Sequence, residues 1–412
     1  MVIEELISHR PEEIIKISEQ RDLNSEDLLE LKSRTYSPAI KLLRYSKGVN
    51  EADKEFYVRT AYNIFRELDE CEDVPIKKAD KSEQEIKNER IGMITRISYI
   101  CGEVIRRDYA NGRGIEGIIQ GDDSRSVTKW LVENEPEKIG KVFAEHFGKG
   151  AVWRDLYEIS KEGETGKKIK EALDYSVKSM ATGMIIFIDR GPIETFRQLD
   201  DYCDYVAGRI GKNFLNELVR LKDKDKNGEP IKLDNELAEQ LAKFLQLTNI
   251  AKNVRSDYEE GRRFFPGEWI HKGISYEFMM DGKTLDAGEV REYVLDGVLS
   301  LAKTKLNPSI KYIMSIPNEL SGYKAFCLFP VIMAQKTIEN MHEAGAERVF
   351  RGEEHAVKIP YGIKNILEFS DKIVTYENGK NANGWLDEYK KDPRVFSFKP
   401  GEYEKWACNW LK

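Results

Sequence analysis

"QLTNIAKNVRSDYEEGRRFFP", Gln246 to Pro266, decides how the rest of the chain is read. Apolar residues recur in it at intervals of three and four, the signature of one helix face. The same register stacks Asn249, Asn253 and Asp257 as an i, i+4, i+8 ladder, with Gln246 one turn before, and the helix then runs into a basic, aromatic exit. Polar groups stacked this way need polar partners. The ladder is therefore either a hydrogen-bonded seam that orders helix packing or a surface turned toward a ligand.

Working outward, helical spacing continues through ADKEFYVRTAYNIFRELDECED, GKKIKEALDYSVKSMATGMIIFI and IETFRQLDDYCDYVAGRIGKNFLNELVRLK, while the alternation expected of strands is scarce. The predicted fold class is all-α. Gly, Pro and Asn gather around Pro75, at NGRG (111–114), KNGEP (226–230), KLNPS (305–309) and NGKNANG (378–384), and helix breaks are expected there. None of these stretches is long enough to be a linker. We read one helical domain over 1–377 and a short Trp-bearing tail over 378–412.

Composition excludes several function classes. A formal net charge of -7 argues against a nucleic-acid binder, which needs a Lys/Arg surplus to displace phosphate counterions. Five cysteines without CxxC spacing argue against a disulfide framework or a structural zinc and suit a reducing, cytoplasmic compartment. The acidic start carries no secretory signal pattern, and the longest apolar run, MATGMIIFI, is far short of the ~20 residues of a membrane span.

Two motifs are set aside. GRGIEG (112–117) spells GxGxxG, but its surroundings read helical and the loop GDDSRS follows, so the βαβ setting of a dinucleotide loop is missing. DKDKNGEPIKLD (223–234) resembles an EF-hand loop, yet Pro230 and Asp234 replace its apolar residue and its bidentate Glu, so a solvated turn is expected.

Two further helices carry chemistry. In YNIFRELDECED, Asp69, Glu72 and Asp73 share one side, with Tyr62 and Arg66 one and two turns back on the same face. A solvated acidic stripe is the plain explanation; acids beside an anion-binding Arg also suit a metal-bound phosphate. In DDYCDYVAGRIG, Tyr202 and Val206 share a face, while Ala207, Gly208 and Gly211 let a neighbouring helix or an apolar ligand approach. Mg²⁺ takes oxygen ligands, typically one or two carboxylates plus phosphate oxygens, so two such helices could hold a diphosphate, with Lys252 and Arg262 neutralising its remaining oxygens.

Taken together, DxxED at Asp69–Asp73, YCxxVAGxxG at Tyr202–Gly211, and QxTNI followed by GRxFxP within Gln246–Pro266 resemble the squalene and phytoene synthase family of head-to-head prenyl transferases, in the family's order. SRTY (33–36) is similar to its early SRSF segment. AFCLFPVIMA (325–334) and VFRGEEHAVKIP (349–360) resemble stretches of the squalene synthase branch, and the likeness covers roughly residues 31–362.

The resemblance implies an all-α isoprenoid synthase fold around a central cavity. It further implies condensation of two farnesyl diphosphates to presqualene diphosphate and reduction with NADPH to squalene. By similarity, Tyr202 is the catalytic tyrosine, with Tyr62 and Arg66 beside the chemistry. Asp69, Glu72, Asp73, Asn253 and Asp257 would hold Mg²⁺, and Ser33, Arg34, Tyr36, Gln246, Asn249, Lys252 and Arg262 the diphosphate. Phe326, Cys327 and Lys358 match the segment associated with NADPH. Asn253 stands where the family has an Asp, and its amide oxygen can still ligate Mg²⁺. Pro360 and Tyr361 replace a basic pair, the stretch 80–167 is longer than its counterpart, and no membrane anchor follows the tail, although Trp406 and Trp410 could make peripheral membrane contact. A product such as dehydrosqualene or phytoene, a halt at presqualene diphosphate, another acceptor, or a silent prenyl-diphosphate-binding scaffold are the alternatives; no stretch dictates an oligomeric state.

Overall fold

A computed structural model describes residues 29, 36–45, 51–73, 82–106, 155–156, 158–159, 161–270 and 274–357. Among the described residues the secondary structure is helical, with one isolated bridge between Lys224 and Pro230, in agreement with the all-α expectation. No helix among them is long and apolar enough to cross a membrane. The chain divides into two compact units, the first comprising residues 1–40 and 53–185, the second residues 41–52 and 186–412.

The first unit holds α1 (Tyr36–Lys41), most of α2 (Glu51–Asp73), α3 (Glu83–Arg106) and most of α4 (Glu164–Arg190). Along α2, Tyr57, Ala61, Ile64 and Leu68 are all buried, an i, i+4, i+7, i+11 stripe that gives the helix its inward face. Within that stripe the buried Arg59 forks both oxygens of Glu55 at 2.8 Å, and Thr60 Oγ1 donates to Asp155 Oδ2 at 2.9 Å. Along α4, Ile169, Leu173, Val177 and Met184 repeat the pattern.

The second unit is built on α7 (Asn235–Lys252). Before it come α5 (Phe196–Cys203), two π-helical segments at Asp204–Gly208 and Gly211–Leu215, and α6 (Asn216–Lys222). After it come α8 (Val254–Glu259), α9 (Tyr276–Asp281), α10 (Leu285–Ser315), α11 (Ser321–Ala344), α12 (Ala346–Phe350) and α13 (Glu354–Val357). Helix α7 buries Ala238, Leu241, Phe244, Leu247 and Ala251 and packs against α10, α11 and both π-helical segments. Each Leu or Phe buried this way contributes about 1.5–3 kcal/mol relative to exposure, far more than local propensity supplies. Helix starts are fixed locally. Thr195 and Gln198 form a capping box on α5, and Asp234, Ser275 and Thr284 cap α7, α9 and α10.

Two sequence expectations are corrected. KLNPS (305–309) does not break the chain: α10 runs through Pro308, because packing on α7 outweighs the lost backbone donor, and Ser309 Oγ donates to the Lys305 carbonyl at 2.7 Å. The stretch 196–222 is not one regular helix either, since each π-helical segment accommodates an extra residue. The 223–234 stretch is the expected turn. Asp225 Oδ1 accepts from the Asn227 and Glu229 amides at 2.8 and 3.0 Å, and Asp234 caps α7 in place of binding a cation. The breaks expected at Pro75, 111–114 and 378–384, the GxGxxG stretch, most of 80–167 and the tail with Trp406 and Trp410 lie outside the described residues.

Candidate functional site

Each unit assembles a cluster of its own. In the first, α1 and α2 bring Tyr36 and Tyr62 together with ring centroids 5.4 Å apart, and Arg66 pairs with the half-buried Asp69 one turn further on. Burial, then the neighbouring Tyr62 and Asp69, push the Tyr36 hydroxyl well above its ordinary pKa, so it stays protonated and able to donate. Four residues predicted from sequence thus share one locality: Tyr36, Tyr62, Arg66 and Asp69. Glu72 and Asp73 lie on α2 with side chains outside the described set, as do Ser33 and Arg34 entirely.

In the second unit the stretch 246–260 is not the single helix expected. It breaks at Asn253, whose φ of -98° and ψ of 10° end α7 and start α8. Asn tolerates this bridge region, and Ser256 Oγ donates to the Asn253 carbonyl at 3.0 Å as a second donor. The register nevertheless survives, because Asn253 N donates to the Asn249 carbonyl at 3.0 Å and Asp257 N to that of Asn253 at 2.9 Å. The ladder is graded, with Asn249 exposed, Asn253 half-buried and Asp257 buried. An exposed start does not fit a fully buried polar seam that only orders packing.

Asp257 is held firmly. Arg262 Nη2 lies 2.6 Å and Nε 3.2 Å from its Oδ1, and the same guanidinium reaches Glu260 at 2.6 Å. Arg262, read from sequence as a diphosphate cation, thus neutralises the acid of its own loop. Two residues on, Phe264 stacks on Tyr202 with centroids 4.8 Å apart and planes 29° apart, while Phe187 meets the same ring edge-on at 5.2 Å and 73°. The tyrosine motif and the GRxFxP motif are therefore one place in space. Backbone pairing holds the loop there: Ile193 N donates to the Arg263 carbonyl at 3.1 Å, and Gly267 N to that of Ile193 at 2.9 Å.

The small residues after Tyr202 serve α7. A Cβ on Gly208 would stand 2.9 Å from both Asp204 Oδ1 and Glu239 Cγ, and one on Gly211 would stand 3.0 Å from the Ala238 carbonyl oxygen. Only glycine lets the helices come this close. Gln246 and Lys252 are half-buried on α7. Phe326 and Cys327 sit in the core on α11, where Tyr323 packs on Phe326 at 5.9 Å and burial raises the Cys327 thiol, keeping it protonated; Lys358 lies outside the described residues.

Sequence reasoning missed a buried ion network behind Tyr202. Lys243 Nζ lies 2.9 Å from both Asp200 and Glu239, Lys305 lies 2.9 Å from the other oxygen of Asp200, Lys212 bridges Glu239 and Asp204, and Arg209 holds Asp204 at 2.8 Å. The only available signal was the charge density around a tyrosine motif otherwise made of small residues.

In the second unit Asn253 and Asp257 offer amide and carboxylate oxygens, the donor type a hard cation takes, and the Asn253 amide donates to Asn249 Oδ1 through its Nδ2 at a long 3.4 Å. Among the described residues no group of three or more His, Cys, Asp or Glu side chains is placed to hold a metal ion.

Residues 166–360 match the squalene/phytoene synthase family model. The chain is 32% identical over 167 residues to squalene synthase R6 of Phoma sp., a match covering 39% of this chain and 38% of that protein. To the squalene synthase of Mus musculus it is 28% identical over 214 residues, covering 51% and 48%. The matches thus span less than half the length of these curated relatives. A solved structure of TcSQS with the ligand BPH1237 superposes with a TM-score of 0.54 at 20% identity, covering 89% of this chain and 90% of that one, and shows the shared helical isoprenoid synthase fold. Two motifs meeting at Tyr202, a fold held in common and a match over residues 166–360 make this chain similar to the squalene/phytoene synthase family.

Proposed function

We propose that the chain is a Mg²⁺-dependent prenyl transferase that joins two farnesyl diphosphates head to head to give presqualene diphosphate, and that it reduces this with NADPH to squalene. The observation that carries the first half is the Tyr202–Phe264 stack, which sets an aromatic wall two residues from the Arg262 that grips Asp257. Ionising an allylic diphosphate separates charge. The leaving group needs cationic and metal contacts, and the allylic cation needs ring faces that cannot capture it as a nucleophile would. Phe187, Tyr202 and Phe264 supply three such rings, and the Tyr202 hydroxyl would assist proton removal as the new ring closes. Bound Mg²⁺ would neutralise the departing diphosphate. Asn253 and Asp257 are residues of the second unit that would help hold it.

The described residues of the reductive segment do not fit a nicotinamide cofactor. Phe326 and Cys327 are each under a tenth exposed and are occupied by packing on Tyr323, so no reductive step is derived from them. The reductive half rests on the resemblance of residues 325–334 and 349–360 to squalene synthases. Incubation with farnesyl diphosphate and Mg²⁺, with and without NADPH, followed by mass spectrometry of the extract, tests both halves. Presqualene diphosphate without NADPH and squalene with it are expected. Accumulation of presqualene diphosphate in both would remove the reductive half, and unchanged farnesyl diphosphate in both would remove the proposal.

A further inference from the structure

The ion network behind Tyr202 lies outside the machinery assigned so far. Lys243 sits on α7 with a side chain only 6% exposed, yet it reaches Asp200 Oδ2 and Glu239 Oε1, each at 2.9 Å. Asp200 lies two residues before Tyr202 on α5, and its second oxygen is met by Lys305 of α10. On the far side of Tyr202, Asp204 opens the first π-helical segment and is held by Arg209 and Lys212, the latter also reaching Glu239. Acids on both sides of the tyrosine, at 200 and 204, are thus tied through Lys243, Glu239 and Lys212 to the single helix α7.

A π-helical segment inserts one residue and so displaces the side chains that follow it around the axis. Something must set the register of α5 against α7. The close approaches at Gly208 and Gly211 set separation, not rotation. The ion pairs are directional and, around the buried Lys243, partly desolvated, so removing one partner leaves an unbalanced charge.

We propose that Lys243 is a positioning residue, which, through Asp200 and Glu239 and together with Lys305, fixes the rotation of α5 and so the placement of the Tyr202 ring between Phe187 and Phe264. It touches no reacting atom. Asp200 and Glu239 agree with this. Burial alone would raise both carboxyls, and the lysines beside each bring them below the ordinary carboxylate range, so both stay ionised at neutral pH. The inference rests on the proposed role of Tyr202 only for its kinetic consequence; its structural content stands apart from that role.

The test places 3-fluorotyrosine at position 202 of the full-length chain and records its ¹⁹F resonance in the unsubstituted protein, Lys243→Met, Lys243→Arg and Lys305→Met. A shifted or broadened signal in Lys243→Met, partly restored in Lys243→Arg, is expected; an unchanged signal in a folded Lys243→Met overturns the proposal. Should Lys243→Met fail to fold, Lys305→Met, which removes the other cation on Asp200 from a more open position, decides the matter by the same criterion. Kinetics then separate positioning from bulk stability. Lys243→Met should lower kcat about 10–100-fold with KM for farnesyl diphosphate little changed, and should cost nothing further in a Tyr202→Phe background. Equal losses in both backgrounds would overturn the positioning role. Absence of turnover in the unsubstituted protein would defeat the proposed function while leaving the ¹⁹F result to judge this one.

Discussion

Gly208 offers a test whose sign follows from the packing alone. Replacing a helical glycine by alanine removes a backbone-entropy penalty of about 1 kcal/mol where nothing opposes it. Gly288, within α10, has no atom within 4 Å of the added Cβ, so Gly288→Ala should be stabilising by up to about 1 kcal/mol. At Gly208 the same methyl would stand 2.9 Å from Asp204 Oδ1, 2.9 Å from Glu239 Cγ and 3.5 Å from Lys243 Cε. Overpacking costs about 1–3 kcal/mol, and here the atoms that must yield are partners in the ion network. Offsetting that cost with the entropy gain leaves Gly208→Ala up to about 2 kcal/mol less stable than the unsubstituted chain. Because two compact units need not unfold together, hydrogen exchange read peptide by peptide over α5 and α7 is the appropriate assay, with the thermal midpoint expected to fall by up to roughly 8 °C as a coarse companion. A Gly208→Ala protein as protected as Gly288→Ala would refute the close approach of α7 to the first π-helical segment.

Arg262→Ala removes the cation from a carboxylate that is about nine-tenths buried, and should destabilise the second unit by about 3 kcal/mol and abolish turnover, whereas Arg262→Lys retains charge but loses the two-nitrogen grip; denaturation curves for the two variants check the order. Lowering pH should weaken the contact between α5 and α7. The Asp200 and Glu239 carboxyls are held below their unfolded values, so their contribution is complete above the unfolded carboxylate pKa and is lost as pH falls through the folded one, in the region below about pH 4. The thermal midpoint of Lys243→Met, measured against pH, should therefore show a shallower acid limb than that of the unsubstituted chain. Asn253→Asp should lower the Mg²⁺ concentration needed for half-maximal turnover; a chain that stays inert in both forms at every Mg²⁺ concentration would support the scaffold reading instead.

The helix class was legible because apolar spacing in 51–73, 164–190 and 235–252 is strong and uninterrupted, and burial follows that spacing in the structure. Boundaries were less so. Pro308 reads as a stop in isolation, and only the packing of α10 on α7 shows why it is passed over. Asn253 reads as one rung of a helix, while the structure turns it into a joint, since its backbone takes a bridge conformation that an Asn tolerates within a helical register. The meeting of Tyr202 with Phe264 joins residues 62 positions apart, and the ion network around Lys243 draws on three elements. Periodicity describes one helix at a time and carries no information on such partnerships. Glu72 and Asp73 were placed by their spacing of three and four from Asp69, and on that spacing and the family resemblance their assignment continues to rest.

Head-to-head condensation fixes a ratio that simple hydrolysis or passive binding cannot imitate. Pyrophosphate released and farnesyl diphosphate consumed should be measured together, in Mg²⁺, with NADPH absent and then present. The expected result is one pyrophosphate for every two farnesyl diphosphates without the reductant, rising to one for one as squalene appears. One pyrophosphate per farnesyl diphosphate with only farnesol formed, or no release at all, would contradict the account.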